Sequence, residues 1–274
     1  NGKCAFVSTN SVSQGNQVSL LWPIVFGLDI EICFAHTDFK WSNNAKDKAG
    51  VTVVIIGLTS KANKTRKFLY SDTLKKETDV ISPYLTAGNT MIISPRNKPF
   101  NSMPEVVYGN QAIDGGFLTL SDIEKQQIIE KEPKAAIFIK RLFGGNSLLK
   151  DIIQWCIWIK EEELDEALKI SEFEKRINQV REFRMNGGEV ARSLVNIPYR
   201  FRYVHEPLDS TIMIPQTSSG DREYLPVDIK TGKIQTLHSL QVIYDPDITV
   251  MSYLLSKLHQ IWIKSVCGAL ETRI

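Results

Sequence analysis

The sequence has few of the residue patterns that hold metals or form disulfide frameworks. Its 274 residues include four cysteines and four histidines, which are scattered along the chain. No CxxC pair occurs, and no two histidines have an HxH or HxxxH spacing. Zinc sites depend on such spacings, so we predict no metal site. Isolated cysteines in apolar surroundings are typical of reduced thiols, which favours a cytoplasmic protein.

Glycine-rich phosphate-binding loops and long apolar runs are also missing. The sequence contains no GxGxxG, GKS/T or GxSxG motif, and no apolar run reaches transmembrane length. No signal peptide is present, and the chain starts at Asn1, two residues before an apolar strand. These absences predict no membrane contact and no self-contained nucleotide or serine-hydrolase site. The start at Asn1 suggests a segment of a longer protein.

The composition is that of an ordinary globular protein, with 43% hydrophobic and 23% charged residues. This length favours one large domain or two smaller ones. The net charge is only +2. A surface that binds nucleic acid would therefore have to come from local clusters of basic residues and not from the overall charge.

The stretch Leu28–Leu58 organises the first part of the chain. It predicts two strands, Ile30–Phe34 and Val51–Ile56, around a polar loop that holds Phe39 and Trp41. The second strand is a continuous β-branched run, which is typical of a strand buried on both faces. Large aromatic residues in a polar loop either are covered by a neighbouring layer or stack on a ligand, and the sequence leaves both possibilities open.

Two elements before this stretch complete the edge of an α/β sheet. Lys3–Thr9 predicts a buried strand, and Gln17–Phe26 predicts a helix interrupted near Pro23. The basic run Ser60–Arg66 looks like a linker, so we place a domain boundary at residue 66. Its cations, Lys64 and Arg66 among them, are either solvated or in contact with phosphate.

The region after residue 66 has an α+β texture. Ser121 and Glu124 form a capping box that predicts a helix start. The other predicted elements are helices over Lys134–Phe143, Glu161–Arg184 and Val250–Gly268, a strand over Gln154–Lys160, a short strand that begins at Tyr203, and two strands, Thr211–Pro215 and Tyr224–Ile229.

The loop between the last two strands is rich in residues that read base edges. It contains Gln216, Ser218, Ser219, Asp221 and Arg222. Arginine pairs with guanine, glutamine with adenine, and acidic residues accept from cytosine. The competing interpretation is an ordinary exposed hairpin turn.

A cluster of arginines lies close in sequence around the end of the predicted helix 161–184. Such a cluster suits phosphate contacts, which position a protein on DNA without specifying sequence. A solvated helix face paired with Glu182 and Glu189 explains it nearly as well. The members are Arg181, Arg184, Arg192, Arg200 and Arg202.

Two short patterns resemble parts of other active sites. Asp209 and Asp228, the latter two residues before Lys230, resemble half of a metal-dependent nuclease site, although chance supplies this pattern in most proteins of this size. Asn196–Tyr199 looks like the Asn-x-Pro-Tyr motif of adenine N6-methyltransferases. It follows a charged helix and has no glycine-rich cofactor loop upstream, so we interpret it as a helix stop.

Taken in order, several segments resemble MmeI-like (type IIL) restriction–modification enzymes over nearly the whole chain. In the first part these are Ala5–Ser11 with Gln14-Gly15, Phe39–Asn43 with Ala45, and Val51–Gly57. Further on they are Pro104-Glu105, Asp114–Gly116, Glu132-Pro133, Phe138-Ile139, Trp155-Cys156, Val180–Arg184, Ile214-Pro215, Ser218-Ser219, Arg222–Pro226, Trp262 and Val266–Gly268.

This resemblance implies a fold and a function. Residues 1–66 would be the α/β edge of an S-adenosylmethionine-dependent methyltransferase sheet, and residues 67–274 an α+β target-recognition domain with a C-terminal helix. The parent protein would be a site-specific DNA adenine N6-methyltransferase that binds double-stranded DNA. Its nuclease domain, its cofactor motif and its catalytic motif would lie upstream of Asn1, so the chain alone would neither methylate nor cut.

The resemblance also implies residue roles. Phe39, and after it Trp41, would stack on the flipped adenine. The loop from Gln216 to Arg222 would read bases, with Asp221 and Arg222 as the specificity residues, although Gly220 stands where the family leads us to expect a charged residue. The phosphate contacts would be Lys40, Lys64, Arg66, Arg181, Arg184, Arg200 and Arg202. The alternatives are a non-catalytic DNA-specificity subunit, a nuclease and a protein-interaction module.

Overall fold

The computed structural model describes residues 2–41, 51–98 and 103–268. The chain divides into two compact units. The first unit consists of Asn1–Lys98, Thr217–Tyr224 and Ser256–Ile274, and the second of Pro99–Gln216 and Leu225–Leu255. The predicted loop residues Ser42, Asn43 and Asn44 lie outside the described residues.

The first unit contains a five-stranded sheet and a long helix. The strands are β1 (Lys3–Thr9), β2 (Ile30–Lys40), β3 (Thr52–Ser60), β4 (Lys67–Tyr70) and β5 (Lys75–Thr78), in the order β1-β3-β2-β4-β5. Helix α1 (Gly15–Gly27) connects β1 to β2. Since β3 pairs antiparallel with both β1 and β2, it lies between two strands of the same direction. The predicted burial of β3 is confirmed, because Val53, Val54 and Ile56 are buried.

Three predictions for the first unit were wrong in detail. β1 is an edge strand, which pairs with β3 on one side only. It has exposed residues, among them Phe6 and Val7. Helix α1 runs through Pro23 without interruption. Pro23 lies on the exposed side of the helix, where water can satisfy the carbonyl that loses its donor. The strand predicted to end at Phe34 continues to Lys40, so Phe39 and Lys40 belong to β2 and not to a loop.

The second unit contains two four-stranded sheets. One has the order β11-β10-β13-β6 and the other β12-β8-β9-β7. Their strands are β6 (Val107–Tyr108), β7 (Thr119–Ser121), β8 (Ile139–Phe143), β9 (Gln154–Ile157), β10 (Ser210–Pro215), β11 (Asp228–Thr231), β12 (Gln235–Thr236) and β13 (Leu240–Tyr244). Strands β10 and β11 form an antiparallel hairpin, with the predicted base-reading loop in its connection.

Helices of both units complete the fold. In the second unit they are α2 (Asp122–Lys131), α3 (Gly145–Lys150), α4 (Leu164–Ala167), α5 (Ser171–Met185), α6 (Glu189–Arg192) and α7 (Ile248–Leu254), and in the first unit α8 (Lys257–Val266). Short 3-10 helices occur at Asn10–Ser13, Lys61–Asn63, Pro133–Phe138 and Glu161–Glu163. The predicted capping box at the start of α2 is confirmed, with Ser121 and Glu124 bonded reciprocally.

Two predicted long helices are broken. The helix predicted over 161–184 stops after α4 and restarts at Ser171, whose backbone and hydroxyl both donate to the Glu132 carboxylate. The helix predicted over 250–268 stops at Leu254 and restarts because Ser256 caps α8 by accepting from the His259 amide.

Two further elements differ from prediction. Residues 134–143 form a 3-10 turn followed by strand β8, which pairs with β9, instead of a helix. The segment at Tyr203 is not a strand. The backbone of His205 bonds to the side chain of Asn110 instead of to a strand. Asn110 donates to the His205 carbonyl and accepts from the His205 backbone N–H.

Each unit has its own hydrophobic core. In the first unit, α1 packs on the sheet through Val18 and Trp22, which meet Ile32, Val54 and Ile56. The largest cluster of the second unit lies between α5 and the sheet that contains β8 and β9, with Phe173 and Phe201 fully buried. Strand β2 and helix α5, which carry several of the candidate binding residues, therefore contribute to these cores.

Candidate nucleic-acid interface

The two aromatic residues predicted to stack on a base lie at the end of β2. Phe39 pairs with Val53 of β3, and its ring packs edge-on against His36 with 5.0 Å between ring centroids. Trp41 follows the strand, its amide donates to the Val51 carbonyl, and it is 45% exposed. Phe39 is thus partly used in packing, whereas the Trp41 ring is more available to a ligand.

A cavity of about 400 Å³ lies beside this end of β2 in the first unit. Thr37 and Asp38 line it from β2, and Ile261, Lys264 and Ser265 line it from α8. The remaining wall comes from Ser13 and Gln14, from Val54 of β3, and from Tyr84, Leu85 and Thr86. Helix α8 therefore faces the same space as the strand that carries Phe39.

The predicted base-reading loop follows β10. The Gln216 side chain donates through Nε2 to the His238 carbonyl. The Ser218 hydroxyl is buried and makes no hydrogen bond among the described residues. Ser219 accepts from the Asp221 amide at 3.3 Å. Asp221 and Arg222 are exposed at the tip. Of the five predicted readers, Gln216, Asp221 and Arg222 are exposed, Ser219 is partly buried, and Ser218 is buried.

Helix α8 holds this loop by its backbone. The Arg222 carbonyl accepts from Gln260 Nε2 at 3.2 Å and from Lys264 Nζ at 3.1 Å. Lys257 Nζ lies 3.3 Å from the Glu223 carboxylate and 5.5 Å from the centroid of the Tyr224 ring. The backbone of the loop is thereby fixed while the Arg222 side chain extends into solvent.

Arg184 is not a phosphate contact, which corrects the prediction for that residue. It is 0% exposed, and its guanidinium donates to carbonyls of other segments. Burial lowers the pKa of Arg184, while the nearby Asp114 raises it. A side chain in this position cannot reach DNA. The five acceptors are the carbonyls of Ala112, Ile113, Leu194, Ile197 and Arg200, at 2.8–3.1 Å.

The other arginines of the cluster have different surroundings. Arg181 is exposed and bonds to Asn178 at 2.9 Å. Arg200 is partly buried, and its Nε has no partner among the described residues. Arg202 bonds to Gln111 at 3.0 Å and lies over the Tyr203 ring at 4.9 Å. Arg192 is exposed at the end of α6. Because Arg184 is buried, the five arginines do not form a single exposed cluster.

The predicted phosphate contacts of the first unit are accessible. Lys40 is exposed at the end of β2. Lys64 is exposed in a left-handed turn, with φ of 43°. Arg66 is exposed and lies 3.7 Å from Glu77. Strands β4 and β5 continue the sheet beyond residue 66, so this basic run connects two strands of one sheet.

The two patterns that resembled other active sites have structural explanations. Asp228 is paired with Lys230 at 2.8 Å. No group of potential metal ligands was found in the part of the chain that the structure describes. Asn196–Tyr199 follows α6 as a turn, with Tyr199 buried and the Ile197 carbonyl bound by Arg184. The interpretation of that motif as a helix stop agrees with this placement.

Sequence reasoning missed Gln260, Lys264 and Lys257, which hold the reading loop. The sequence predicts only an apolar-periodic helix over Val250–Gly268, and periodicity does not show that its polar residues hold a loop. The neighbouring apolar residues Leu258 and Ile261 are exposed, so the apolar pattern gives no sign that Gln260 is buried. The loop that Gln260 meets is about 40 residues away, and no local pattern reveals that partner.

Comparison with known proteins defines the class of this chain. Residues 87–274 match the family described as MmeI, target recognition domain, and residues 1–71 match MmeI, DNA-methyltransferase domain. These are the two parts of an enzyme that joins a methyltransferase to a target-recognition domain. The chain belongs to the MmeI family. The resemblance identified from the sequence is confirmed.

Two relatives give the extent of the similarity. DNA methyltransferase A of Bacillus subtilis (strain 168) is 36% identical over 273 residues, which cover 99% of this chain and 31% of that protein. A solved structure of the type IIL restriction-modification enzyme MmeI in complex with DNA is 33% identical, with a TM-score of 0.84. The match covers 99% of this chain and 37% of that chain. This chain thus spans about a third of each relative's length.

In residues 2–41, 51–98 and 103–268, no helix has both the length and the apolar character needed to cross a membrane.

Proposed function

We propose that this chain supplies duplex DNA target recognition to a site-specific DNA adenine N6-methyltransferase of a restriction–modification system. The observation that carries the proposal is the loop after β10, which presents Asp221 and Arg222 to solvent on a backbone anchored by α8. Side chains that read base edges must be exposed and also held in register. The match of residues 87–274 to the MmeI target recognition domain supports this role.

In the proposed mechanism, the target adenine leaves the duplex and stacks on an aromatic residue at the end of β2. The exposure of Trp41 favours it over Phe39, whose ring packs on His36. Gln216 and Ser219 are proposed to read bases together with Asp221 and Arg222, whereas the buried Ser218 shapes the loop. Lys40, Lys64, Arg66, Arg181, Arg200 and Arg202 contact phosphates. In the longer protein, Trp41→Ala would reduce the fluorescence rise of 2-aminopurine placed at the target adenine.

S-adenosylmethionine is the methyl donor of the proposed reaction. The described residues contain no glycine-rich loop between a strand and a helix that would hold it. We therefore assign no residue of this chain to the cofactor. We propose that the cofactor-binding and catalytic parts, and a nuclease domain, belong to other regions of a longer cytoplasmic protein, and that this chain alone neither methylates nor cleaves. Residues 1–66 and 67–274 are our proposed division between the methyltransferase and target-recognition parts.

The test is selection from a pool of random duplexes at two salt concentrations, followed by sequencing. We expect an enriched motif in which Arg222→Ala weakens the preference at one position by about 1–3 kcal/mol. Lys233→Ala removes an exposed cation outside the loop and serves as the matched control, since it should leave the motif unchanged. Enrichment of the same motif by Arg222→Ala would contradict the assignment of the loop.

The same samples separate the competing functions. A nuclease predicts Mg²⁺-dependent cleavage that is lost in Asp228→Asn. A protein-interaction module predicts no binding at either salt concentration, since DNA binding weakens with salt in a measurable way. A non-catalytic specificity subunit predicts the same motif without any methyltransferase motif in the longer protein.

A further inference from the structure

Helix α8 bonds to the reading loop and lines the same cavity as the end of β2, the two elements of the proposed DNA interface in the first unit. We infer that α8 sets the distance between the base that is flipped and the bases that are read, and that Gln260 is its positioning residue. This inference rests on the proposed function. It adds a residue that has no contact with DNA of its own and acts through the backbone of Arg222.

The contact between Gln260 and the reading loop restrains the backbone without using a base-reading group. Gln260 Nε2 donates to the Arg222 carbonyl at 3.2 Å, and Lys264 Nζ donates to the same oxygen at 3.1 Å. Lys257 holds the next residue through the Glu223 carboxylate at 3.3 Å. Because these bonds fix the carbonyl, the direction in which the Arg222 side chain leaves the loop is fixed as well.

The burial of Gln260 indicates a purpose other than stability. The residue is 5% exposed, and its Oε1 atom has no hydrogen-bond partner among the described residues. Burying an unpaired amide oxygen costs folding free energy, and an apolar side chain of the same size would avoid that cost. What glutamine provides at this position, and an apolar residue does not, is the bond to Arg222.

On its other side, α8 faces a cavity that the sheet of the first unit also lines. Ile261, Lys264 and Ser265 line the cavity that Thr37 and Asp38 also line, one residue before Phe39. The chain that follows α8 also passes close to Gly15. A β-carbon added to Gly15 would lie 3.5 Å from the Gly268 backbone nitrogen. Gly15 stands at the start of α1 and has a φ of +55°, a backbone conformation that favours glycine.

Lys264 connects the cavity to the reading loop, because it lines the cavity and also bonds to the Arg222 carbonyl. A helix is stiff over a length of ten residues, so the loop and the end of β2 are held at a set spacing. Since the flipped adenine and the read bases belong to one duplex, that spacing defines which base pair Arg222 meets. A purely structural role for Gln260 predicts instead an equal loss of affinity for every sequence.

The test compares Gln260→Met with Leu258→Ala in the duplex selection. Gln260→Met keeps the volume and removes the donor, and Leu258→Ala alters an exposed residue of the same helix. We expect Gln260→Met to weaken the preference at the Arg222-dependent position by roughly tenfold, within the range for one lost base contact. In the Arg222→Ala background, the same change should have no further effect on that position. Leu258→Ala should leave the motif intact.

An unchanged motif in Gln260→Met, or an equal loss of affinity for all sequences, would overturn the inference. Hydrogen exchange of residues 219–224 without DNA gives a second readout. We expect faster exchange there in Gln260→Met and unchanged exchange in β10. If the unmodified chain enriches no motif, the proposed function fails, and the exchange measurement then decides only whether Gln260 restrains the reading loop. Unchanged protection of residues 219–224 would then refute it.

Discussion

The end of helix α5 and the loop after β10 each present an arginine that the sequence assigns to DNA, and the two differ in what holds them. At the end of α5, the Arg184 guanidinium is buried and satisfied by five backbone carbonyls. In the loop, the Arg222 backbone carbonyl is held, and its side chain is exposed. The Arg184 side chain therefore stabilises the fold. At Arg222 the fold holds the backbone and leaves the side chain exposed to a ligand.

The difference shows that an arginine's role depends on which of its atoms other residues satisfy. A guanidinium has five N–H donors, and once carbonyls occupy them, none remains for a phosphate or a base. Arg176, two turns earlier on α5, is a third case, because it bonds to the carboxylates of Glu124 and Glu172. Three arginines of one protein thus serve as a backbone clamp, an ion-pair partner and a candidate reader.

Arg184→Met should have the largest effect of the changes considered. It leaves several buried or partly buried carbonyls without donors, at about 1–3 kcal/mol each before the structure relaxes. We expect a loss of roughly 3–5 kcal/mol in the free energy of unfolding. The measurement is the midpoint of urea unfolding, followed by circular dichroism.

Arg181→Ala, one turn away and exposed, is the control and should change the unfolding free energy by less than about 0.5 kcal/mol. Arg184→Lys should fall between the two, because an ammonium has three donors and no fork geometry. If Arg184→Met kept its stability and lost DNA affinity, the distinction between the two arginines would not hold.

A change at Glu124 should have an intermediate effect that depends on pH. The Ser121 backbone, the Arg176 side chain and the Ser121 hydroxyl lower the Glu124 pKa from 4.5 to about 2. A lowered pKa in the folded state stabilises the protein above pH 4.5, and this stabilisation is lost as the pH falls toward 2. We expect Glu124→Gln to lose about 1 kcal/mol at pH 7, the typical value for a cap.

Thermal unfolding between pH 7 and pH 2.5 tests this expectation. The difference in unfolding temperature between the unmodified chain and Glu124→Gln should become smaller as the pH falls. Arg184, by contrast, bonds only to neutral carbonyls, so the loss caused by Arg184→Lys should stay nearly constant over this range. A difference at Glu124 that did not change with pH would show that the carboxylate charge has no part in the cap.

Arg202→Ala should have the smallest effect, and it separates phosphate contact from base reading. As a phosphate contact, Arg202 would contribute about 0.9 to the slope of log affinity against log salt concentration. We expect that slope to fall by this amount in filter-binding measurements, with the selected motif unchanged. Loss of the motif without a change in the salt slope would show that Arg202 reads a base, which is the role that we propose for Arg222.

Much of the local structure followed from the sequence. The continuous β-branched run predicts the central strand β3, and the pair Ser121 and Glu124 predicts the start of α2. These signals are local, because neighbouring residues satisfy each other. The exposure of Asp221 and Arg222 also follows from the polar run after β10, although the strand predicted over Tyr224–Ile229 begins only at Asp228.

The failures concern residues whose partners lie far along the chain. Arg184 is polar on a charged helix, and its burial depends on contacts such as that with the Ile113 carbonyl, 71 residues away. The break before Ser171 likewise depends on Glu132, which lies 39 residues earlier. Periodicity reports which face of a helix is apolar, but it does not report which distant group pairs with a polar one.

Strand β1 has a consequence for how the chain behaves in solution. β3 covers one side of it, and no strand of residues 2–41, 51–98 or 103–268 pairs with the other. Phe6 and Val7 are 57% and 54% exposed. An open apolar edge of seven residues is a template for further strands, so concentrated samples of the isolated chain should self-associate through it. Storage at low concentration, or a lysine at position 6, would keep the chain monodisperse.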